Sequence, residues 1–129
     1  MSKPSGSRLS AEEVEKVLRR ARQYFSTSDF LVGSPYHTSA DFEALLLISH
    51  EEQKDALRKV LEEISPECYN GPHPPDHISG EPKCKGERMH QFWWTSACFE
   101  QKRMYVKFCL KGNRFVLLRI HLDFYKRKI

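Results

Sequence analysis

Two neighbouring segments near the C-terminus carry side chains that can move protons and bind phosphate. The segment 103–111 alternates strictly, and its polar side chains occupy every second position: Arg103, Tyr105, Lys107, Cys109 and Lys111. The segment 115–124 becomes polar toward its end, where Arg119, His121 and Asp123 alternate with apolar residues. A phenol, an imidazole, an ammonium and a guanidinium on one face of a sheet suit phosphodiester cleavage without a metal.

The dipeptide Gly112-Asn113 predicts a hairpin turn between these segments. A two-residue turn would place Arg119 and His121 on the buried side of the sheet, where an unpaired guanidinium is strongly destabilising. A three-residue loop, which adds Arg114, shifts the pairing by one residue and brings the apolar residues of both strands to one face. We therefore predict the three-residue loop.

This register predicts three cross-strand pairs on the polar face: Tyr105 with His121, Lys107 with Arg119, and Arg103 with Asp123. Because an imidazole changes charge near neutral pH, His121 is the candidate acid or base. Lys107 and Arg119 are candidate phosphate ligands, and Tyr105 would have an orienting role or donate a proton. Since two cations face each other, we expect an anion between Lys107 and Arg119.

Aromatic residues of the preceding segment are candidates to stack on bases beside this patch, namely Trp93, Trp94 and Phe92. Arg103 and Lys111 would bind the nucleic-acid backbone. A simpler interpretation has the tryptophans in the core and the charged face merely solvated, as charged faces of antiparallel sheets usually are.

The composition permits a polyanionic partner. The net charge is +4, and residues 102–129 contain nine Lys or Arg residues against one acidic residue, Asp123. No apolar run is long enough to span a membrane, and the first residues lack the apolar core of a signal peptide. We therefore expect a cytoplasmic protein whose four cysteines are mostly reduced thiols.

The chain predicts a single α+β domain over 1–129, with residues 1–8 disordered. Helices are expected from Ser10 to Phe25, over 41–47 and over 49–63, with a loop over 26–37. A long Pro/Gly loop covers 69–88. Strands are expected over 89–96, 103–111 and 115–124. The N-terminal helices should pack on one face of a C-terminal antiparallel sheet.

Four stretches, in this order, resemble the motility quorum-sensing regulator (MqsR) toxin family of the RelE-like toxin ribonucleases: Ala44 to Glu62, the run from Ser65 to Pro72 continued by Pro75-Asp76, Met104 to Lys107, and Leu118 to His121. The second is similar to the family's S/T-x-E-D-Y-x-x-G-P run. The third matches its Tyr-hydrophobic-Lys strand, and the fourth lies where relatives end the next strand with histidine or lysine. Asn70 stands where some members have a catalytic lysine, and Arg119 replaces a small residue.

The resemblance implies a RelE-like toxin fold and an mRNA endoribonuclease that needs neither metal nor cofactor. It also implies a cognate antitoxin protein as the silencing partner. Tyr105, Lys107 and His121 carry over as catalytic residues, and Gln91 corresponds to the polar residue one strand earlier. The RNA sequence that is cleaved and the oligomeric state stay open.

Three alternatives remain from the residues themselves. Cys68, His73, His77 and Cys84 could hold zinc, although the usual ligand spacings are missing. A Cys–His nucleophile pair could form from Cys98 or Cys109 with His90 or His121. The third alternative is a non-catalytic module that binds protein or nucleic acid through the same basic patch.

Overall fold

The computed structural model describes residues 9–72 and 86–123. Three helices form, α1 over Ala11–Ser28, α2 over Pro35–Ala44 and α3 over His50–Glu63. The strands are β1 over Phe30–Val32, β2 over Tyr69–Pro72, β3 over His90–Ser96, β4 over Lys102–Lys111 and β5 over Arg114–Leu122. A short 3₁₀ helix covers Pro66–Cys68. The helices precede most of the sheet, so the predicted α+β class is confirmed.

Both long helices begin where the sequence predicts, at capping boxes. The Ser10 side chain accepts a hydrogen bond from the backbone N–H of Glu13, whose side chain accepts one from the Ser10 N–H. Ser49 and Glu52 repeat this arrangement at the start of α3. Each box satisfies two of the N–H groups that a helix leaves without intrahelical partners.

The five-stranded sheet has the order β1-β5-β4-β3-β2 and is mixed. The four later strands pair in antiparallel fashion, but β1 pairs with β5 in parallel. The predicted loop over 26–37 is therefore wrong, and so is a wholly antiparallel sheet. At three residues, β1 is too short to show an alternating pattern, and α2 begins at Pro35, six residues before the predicted start.

The main core lies between the sheet and the helices α1 and α3. Val14 and Leu18 of α1 and Leu57 of α3 pack toward Val106 and Phe108 of β4. The predicted alternation of β4 is confirmed, because Met104, Val106, Phe108 and Leu110 all face this core. We call the opposite side of the sheet the outer face.

The hairpin between β4 and β5 has a two-residue turn, so the predicted three-residue loop is wrong. Gly112 and Asn113 both have positive φ angles, 59° and 57°, as the tight turns favoured in hairpins require. Lys111 pairs directly with Arg114. The register then shifts by one residue at Leu118, where a β-bulge separates the Phe108–Leu117 pair from the Lys107–Arg119 pair.

The bulge reassigns part of β5. Before it, Phe115 and Leu117 face the core, whereas Val116 and Leu118 join Met89 and Cys109 in a small apolar cluster on the outer face. The predicted three-residue loop would turn Val116 and Leu118 toward the core, and this expectation is wrong. Beyond the bulge Ile120 faces the core, as predicted. The predicted pairs Tyr105–His121 and Lys107–Arg119 are confirmed, although a bulge creates their register.

Helix α2 holds the bulge from the side of the sheet. The Gly33 N–H donates to the Leu117 carbonyl at 2.9 Å, which ends the pairing with β1. Beyond this point the buried Thr38 Oγ1 donates to the Leu118 carbonyl at 2.8 Å, and Asp41 Oδ2 accepts from the Ile120 N–H at 3.0 Å. Side chains of α2 thus satisfy backbone groups of β5 that no strand pairs.

Among the cysteines that the structure describes, Cys109 is oxidised. Cys68 and Cys98 are free, but Cys109 is disulfide-bonded, so the expectation of mostly reduced cysteines is wrong for Cys109. Of the long 69–88 loop, residues 69–72 form β2 and residues 73–85 lie outside the described residues, as do 1–8. Within the described ranges, no helix combines the length and apolar content needed to cross a membrane.

His90 opens β3 as a buried side chain, and burial is the main cause that lowers its pKa to about 4, with help from the nearby charges of Arg88 and Arg20. Its ring lies between Tyr69 and Phe108, at centroid distances of 6.2 and 5.8 Å. Its Nδ1 has no hydrogen-bond partner among the described residues. The native structure therefore favours the neutral imidazole.

We expect acid to destabilise the fold through His90. Because its folded pKa lies below the ordinary 6.5, the unfolded chain takes up the proton first, and stability falls from about pH 6.5 down to the folded pKa. Between pH 7 and pH 5 the loss should be about 2 kcal/mol. Urea unfolding at both pH values measures it. A His90→Phe variant should lose this component, and an equal slope in both proteins would contradict the assignment.

We expect Asp41→Ala to destabilise the fold by about 2–3 kcal/mol, since it removes charge-assisted hydrogen bonds to Arg119 and the buried Ile120 N–H. Asp55→Ala is the matched control, because its ion pairs with Arg58 and Lys59 are exposed. Urea unfolding of both variants gives the comparison. Equal stabilities would show that α2 does not hold the bulge.

Candidate functional site

Three aromatic side chains form a row across the outer face, one from each of three adjacent strands. Trp93 of β3, Tyr105 of β4 and His121 of β5 are direct register partners. The ring centroids of Trp93 and Tyr105 are 4.9 Å apart, and those of Tyr105 and His121 are 5.0 Å apart. We call these residues the aromatic row. Trp93 and His121 are partly exposed, whereas Tyr105 between them is 8% exposed.

A second row lies beside the first, two residues further along each strand. Gln91, Lys107 and Arg119 are register partners on β3, β4 and β5 and are all partly exposed. We call them the polar row. The Tyr105 hydroxyl donates to Gln91 Oε1 at 2.7 Å and so connects the two rows. Six of the predicted site residues are therefore together on one face: Gln91, Trp93, Tyr105, Lys107, Arg119 and His121.

Tyr105 is a neutral hydrogen-bonding group. Burial raises the pKa of its phenol far above the ordinary value, and the positive charge of Arg119 offsets only part of this effect. A phenol in this state is neither a base nor an effective proton donor near neutral pH. Of its two predicted roles, orientation of neighbouring groups is the one that its surroundings favour.

The surroundings of His121 determine which ring nitrogen can act as a base. Its Nδ1 lies 2.6 Å from the backbone carbonyl oxygen of Leu122. Since a carbonyl can only accept, Nδ1 carries the proton in this contact. The lone pair of the neutral ring then lies on Nε2. This is the arrangement that a general base at Nε2 requires.

Arg119 meets an anion that belongs to the protein. Its Nε and Nη2 donate to the two carboxylate oxygens of Asp41 at 2.8 and 3.0 Å, and the Asp41 side chain is 7% exposed. A bidentate pair of this kind fixes the guanidinium plane. We expected an anion between Lys107 and Arg119; Asp41 neutralises Arg119 from the α2 side.

The other predicted nucleic-acid ligands lie apart from the two rows. Trp94 faces the core at 3% exposure, where its Nε1–H donates to Glu63 Oε1 at 2.8 Å, and Phe92 is fully buried. Neither ring can stack on a base. Arg103 is exposed two residues beyond the aromatic row along β4, and Lys111 lies beside the hairpin turn. Only Trp93 among the candidate stacking residues reaches the site.

Asp41 is a site residue that the sequence patterns do not reveal. It marked the start of a predicted helix, and its contact with Arg119 spans 78 residues of chain. An aspartate near a helix start has a sufficient local explanation, because carboxylates there interact favourably with the helix dipole. The facing cations Lys107 and Arg119 indicated that an anion lies nearby, but they did not indicate which residue supplies it.

The competing chemistries gain no support from the described residues. These residues contain no group of three or more side chains suited to holding a metal ion. Of the proposed zinc ligands, His73, His77 and Cys84 lie outside them. Burial raises the pKa of the Cys98 thiol, with the nearby Glu63 carboxylate adding to the effect, which disfavours a reactive thiolate. A disulfide-bonded Cys109 is not a nucleophile.

Comparison with protein-family models, with curated proteins and with solved structures gives no match in any of the three. The resemblance to the MqsR toxin family and to the RelE-like fold therefore stays a prediction. The case for a function depends on the geometry of the outer face.

We expect Tyr105 and Gln91 to be energetically coupled. A double-mutant cycle with Tyr105→Phe and Gln91→Ala should give an interaction energy of about 1 kcal/mol, the usual net contribution of one hydrogen bond. Urea unfolding of the wild type, both single variants and the double variant provides the cycle. Additive effects of the two substitutions would contradict the hydrogen bond.

Proposed function

We propose that the protein is an mRNA endoribonuclease that cleaves without a metal ion, with its site on the two rows of the outer face. The observation that carries the proposal is the placement of His121 and Lys107. Both are partly exposed on one face, on adjacent strands, and Tyr105 lies beside His121. An imidazole and an ammonium so placed supply the base and the cation that RNA cleavage needs.

In the proposed reaction, His121 Nε2 takes the proton of a ribose 2′-hydroxyl. The freed oxygen attacks the adjacent phosphorus, and the bond to the 5′-oxygen of the next nucleotide breaks. The products are a 2′,3′-cyclic phosphate and a 5′-hydroxyl, whose proton comes from water. Lys107 stabilises the negative charge that builds up on the phosphate oxygens. Tyr105 and Arg119 position the side chains of His121 and Lys107 and do not exchange protons.

The resemblance to a toxin family adds a biological setting to this proposal. A ribonuclease of this kind would act on cellular mRNA in the cytoplasm and would be held inactive by a cognate antitoxin protein. Coexpression of such a partner should suppress RNA cleavage. This part of the proposal rests on sequence resemblance alone.

A second function is favoured by a specific observation. Four of the proposed site residues already form hydrogen bonds within the protein: Tyr105 with Gln91, Arg119 with Asp41, and His121 with the Leu122 carbonyl. A module that binds RNA without cleaving it needs the charge of Lys107 and a stacking surface, but no proton transfer. The two functions differ in whether His121 matters for chemistry.

We expect the wild type to cleave end-labelled single-stranded RNA in the presence of EDTA and to leave cyclic-phosphate ends. His121→Ala should lower the cleavage rate by roughly 100-fold or more, in line with the usual contribution of a general base. Lys107→Ala should produce a loss of similar size, because the developing phosphate charge loses its cation. Gel analysis of initial rates measures both.

Lys102→Ala is the control, because Lys102 is an exposed lysine of the same strand that pairs with Glu100 away from the rows. Circular dichroism confirms that each variant folds. Cleavage that survives both His121→Ala and Lys107→Ala would show that the site is misassigned. Binding that weakens with Lys107→Ala, in a wild type that never cleaves, would identify the non-catalytic module.

A further inference from the structure

The two rows run across the strands, and this direction constrains how a nucleic acid can lie on the outer face. Residues two apart on one strand are separated by about 7 Å, so the aromatic row and the polar row are parallel lines at about that spacing. Within each row the side chains come from neighbouring strands, about 5 Å apart. A surface on which a base can stack, beside the charged side chain of Lys107, is what single-stranded nucleic acid requires.

We infer that single-stranded RNA crosses the strands on this face, with its backbone along the polar row and the base of one nucleotide stacked on Trp93. The inference rests on the proposed function, and it specifies the form of the substrate and a base subsite. Duplex RNA does not fit, because its bases are already stacked on one another and offer no free face to the indole.

Trp93 is the member of the aromatic row suited to hold a base. Tyr105 is 8% exposed and is flanked by the other two rings, so a base cannot lie on it. His121 is assigned to the 2′-hydroxyl. Trp93 is partly exposed at the end of the row, and Tyr105 packs against it at a centroid distance of 4.9 Å. An indole supported in this way loses little freedom on binding.

The separation of Trp93 from His121 lets the stacked base lie beside the cleaved bond. The two residues lie two strands apart, a distance of about 10 Å. Trp93 therefore acts beside the cleaved bond and would contribute to sequence preference there without taking part in the chemistry.

The two adjacent tryptophans provide a matched test. The probe is a short single-stranded 2′-O-methyl RNA of mixed sequence, which has no free 2′-hydroxyl and cannot be cleaved. We expect it to quench tryptophan fluorescence in the wild type and in Trp94→Phe, whose indole is in the core. Trp93→Phe should abolish the quenching, and Trp93→Ala should weaken binding by roughly 5-fold or more.

Quenching that persists in Trp93→Phe, or affinity unchanged in Trp93→Ala, would overturn the base subsite. If Trp94→Phe does not fold, the loss of quenching between wild type and Trp93→Phe still decides the question. A duplex of the same sequence should not quench, and equal quenching by the duplex would overturn the assignment to single strands.

A second experiment uses cleavable RNA with one abasic nucleotide placed in turn on either side of the cleaved bond. We expect one neighbouring position to slow wild-type cleavage but to have no effect in Trp93→Ala. Equal effects in both proteins would overturn the base subsite while the endoribonuclease proposal stands. Stacking on Trp93 in a protein that leaves the RNA intact would overturn the endoribonuclease proposal and preserve the subsite.

Discussion

The geometry of the outer face depends on the β-bulge at Leu118. The two-residue turn sets one register, in which Phe115 and Leu117 pack into the core. If that register continued, Arg119 would turn into the core and Ile120 would turn outward, because a shift of one residue reverses the face of each side chain. The bulge inserts the shift where the chain changes from apolar to polar. Because of the bulge, β5 contributes side chains to the core at its start and to the polar outer face at its end.

A bulge leaves backbone groups without strand partners, and the neighbouring elements satisfy them here. Strand β1 ends at Val32, so the edge of β5 beyond Leu117 would be open. Thr38 and Asp41 of α2 occupy that edge and bond to the Leu118 carbonyl and the Ile120 N–H. Between β1 and α2 the backbone passes close to β5: a Cβ at Gly33 would lie 2.6 Å from a methyl of Leu118. Glycine at this position permits the approach.

Much of this arrangement could be predicted from the sequence, because it depends on local patterns. The alternation in β4 indicates which of its side chains face out, and the capping residues at Ser10 and Ser49 mark the helix starts. The pairing of Tyr105 with His121 was predicted correctly from the need to keep charge out of the core. The predicted turn was nevertheless wrong. A two-residue turn followed by a bulge gives the same residue pairs beyond Leu118 as a three-residue turn without a bulge.

Two kinds of feature could not be predicted from the sequence: contacts between residues far apart in the chain, and elements of only a few residues. Strand β1 has three residues and forms only because β5 offers an edge. The partnership of Asp41 with Arg119 joins elements far apart in the chain, and neither residue carries a local sign of the other. Trp94 is buried and Trp93 is partly exposed because adjacent residues of a strand point to opposite faces of the sheet. Which of the two is buried depends on which face the helices cover. Packing determines this face, and single-strand patterns do not.

The Asp41–Arg119 pair also bears on how a site with facing cations can exist before any substrate binds. Lys107 and Arg119 are direct cross-strand partners, and like charges so placed destabilise a sheet. Asp41 neutralises the guanidinium from inside the fold, so the register of the hairpin does not depend on a bound ligand. A phosphate at Lys107 would then add an interaction to a face that is already organised. This favours binding with little rearrangement, since the ordering of Arg119 is complete before the ligand arrives.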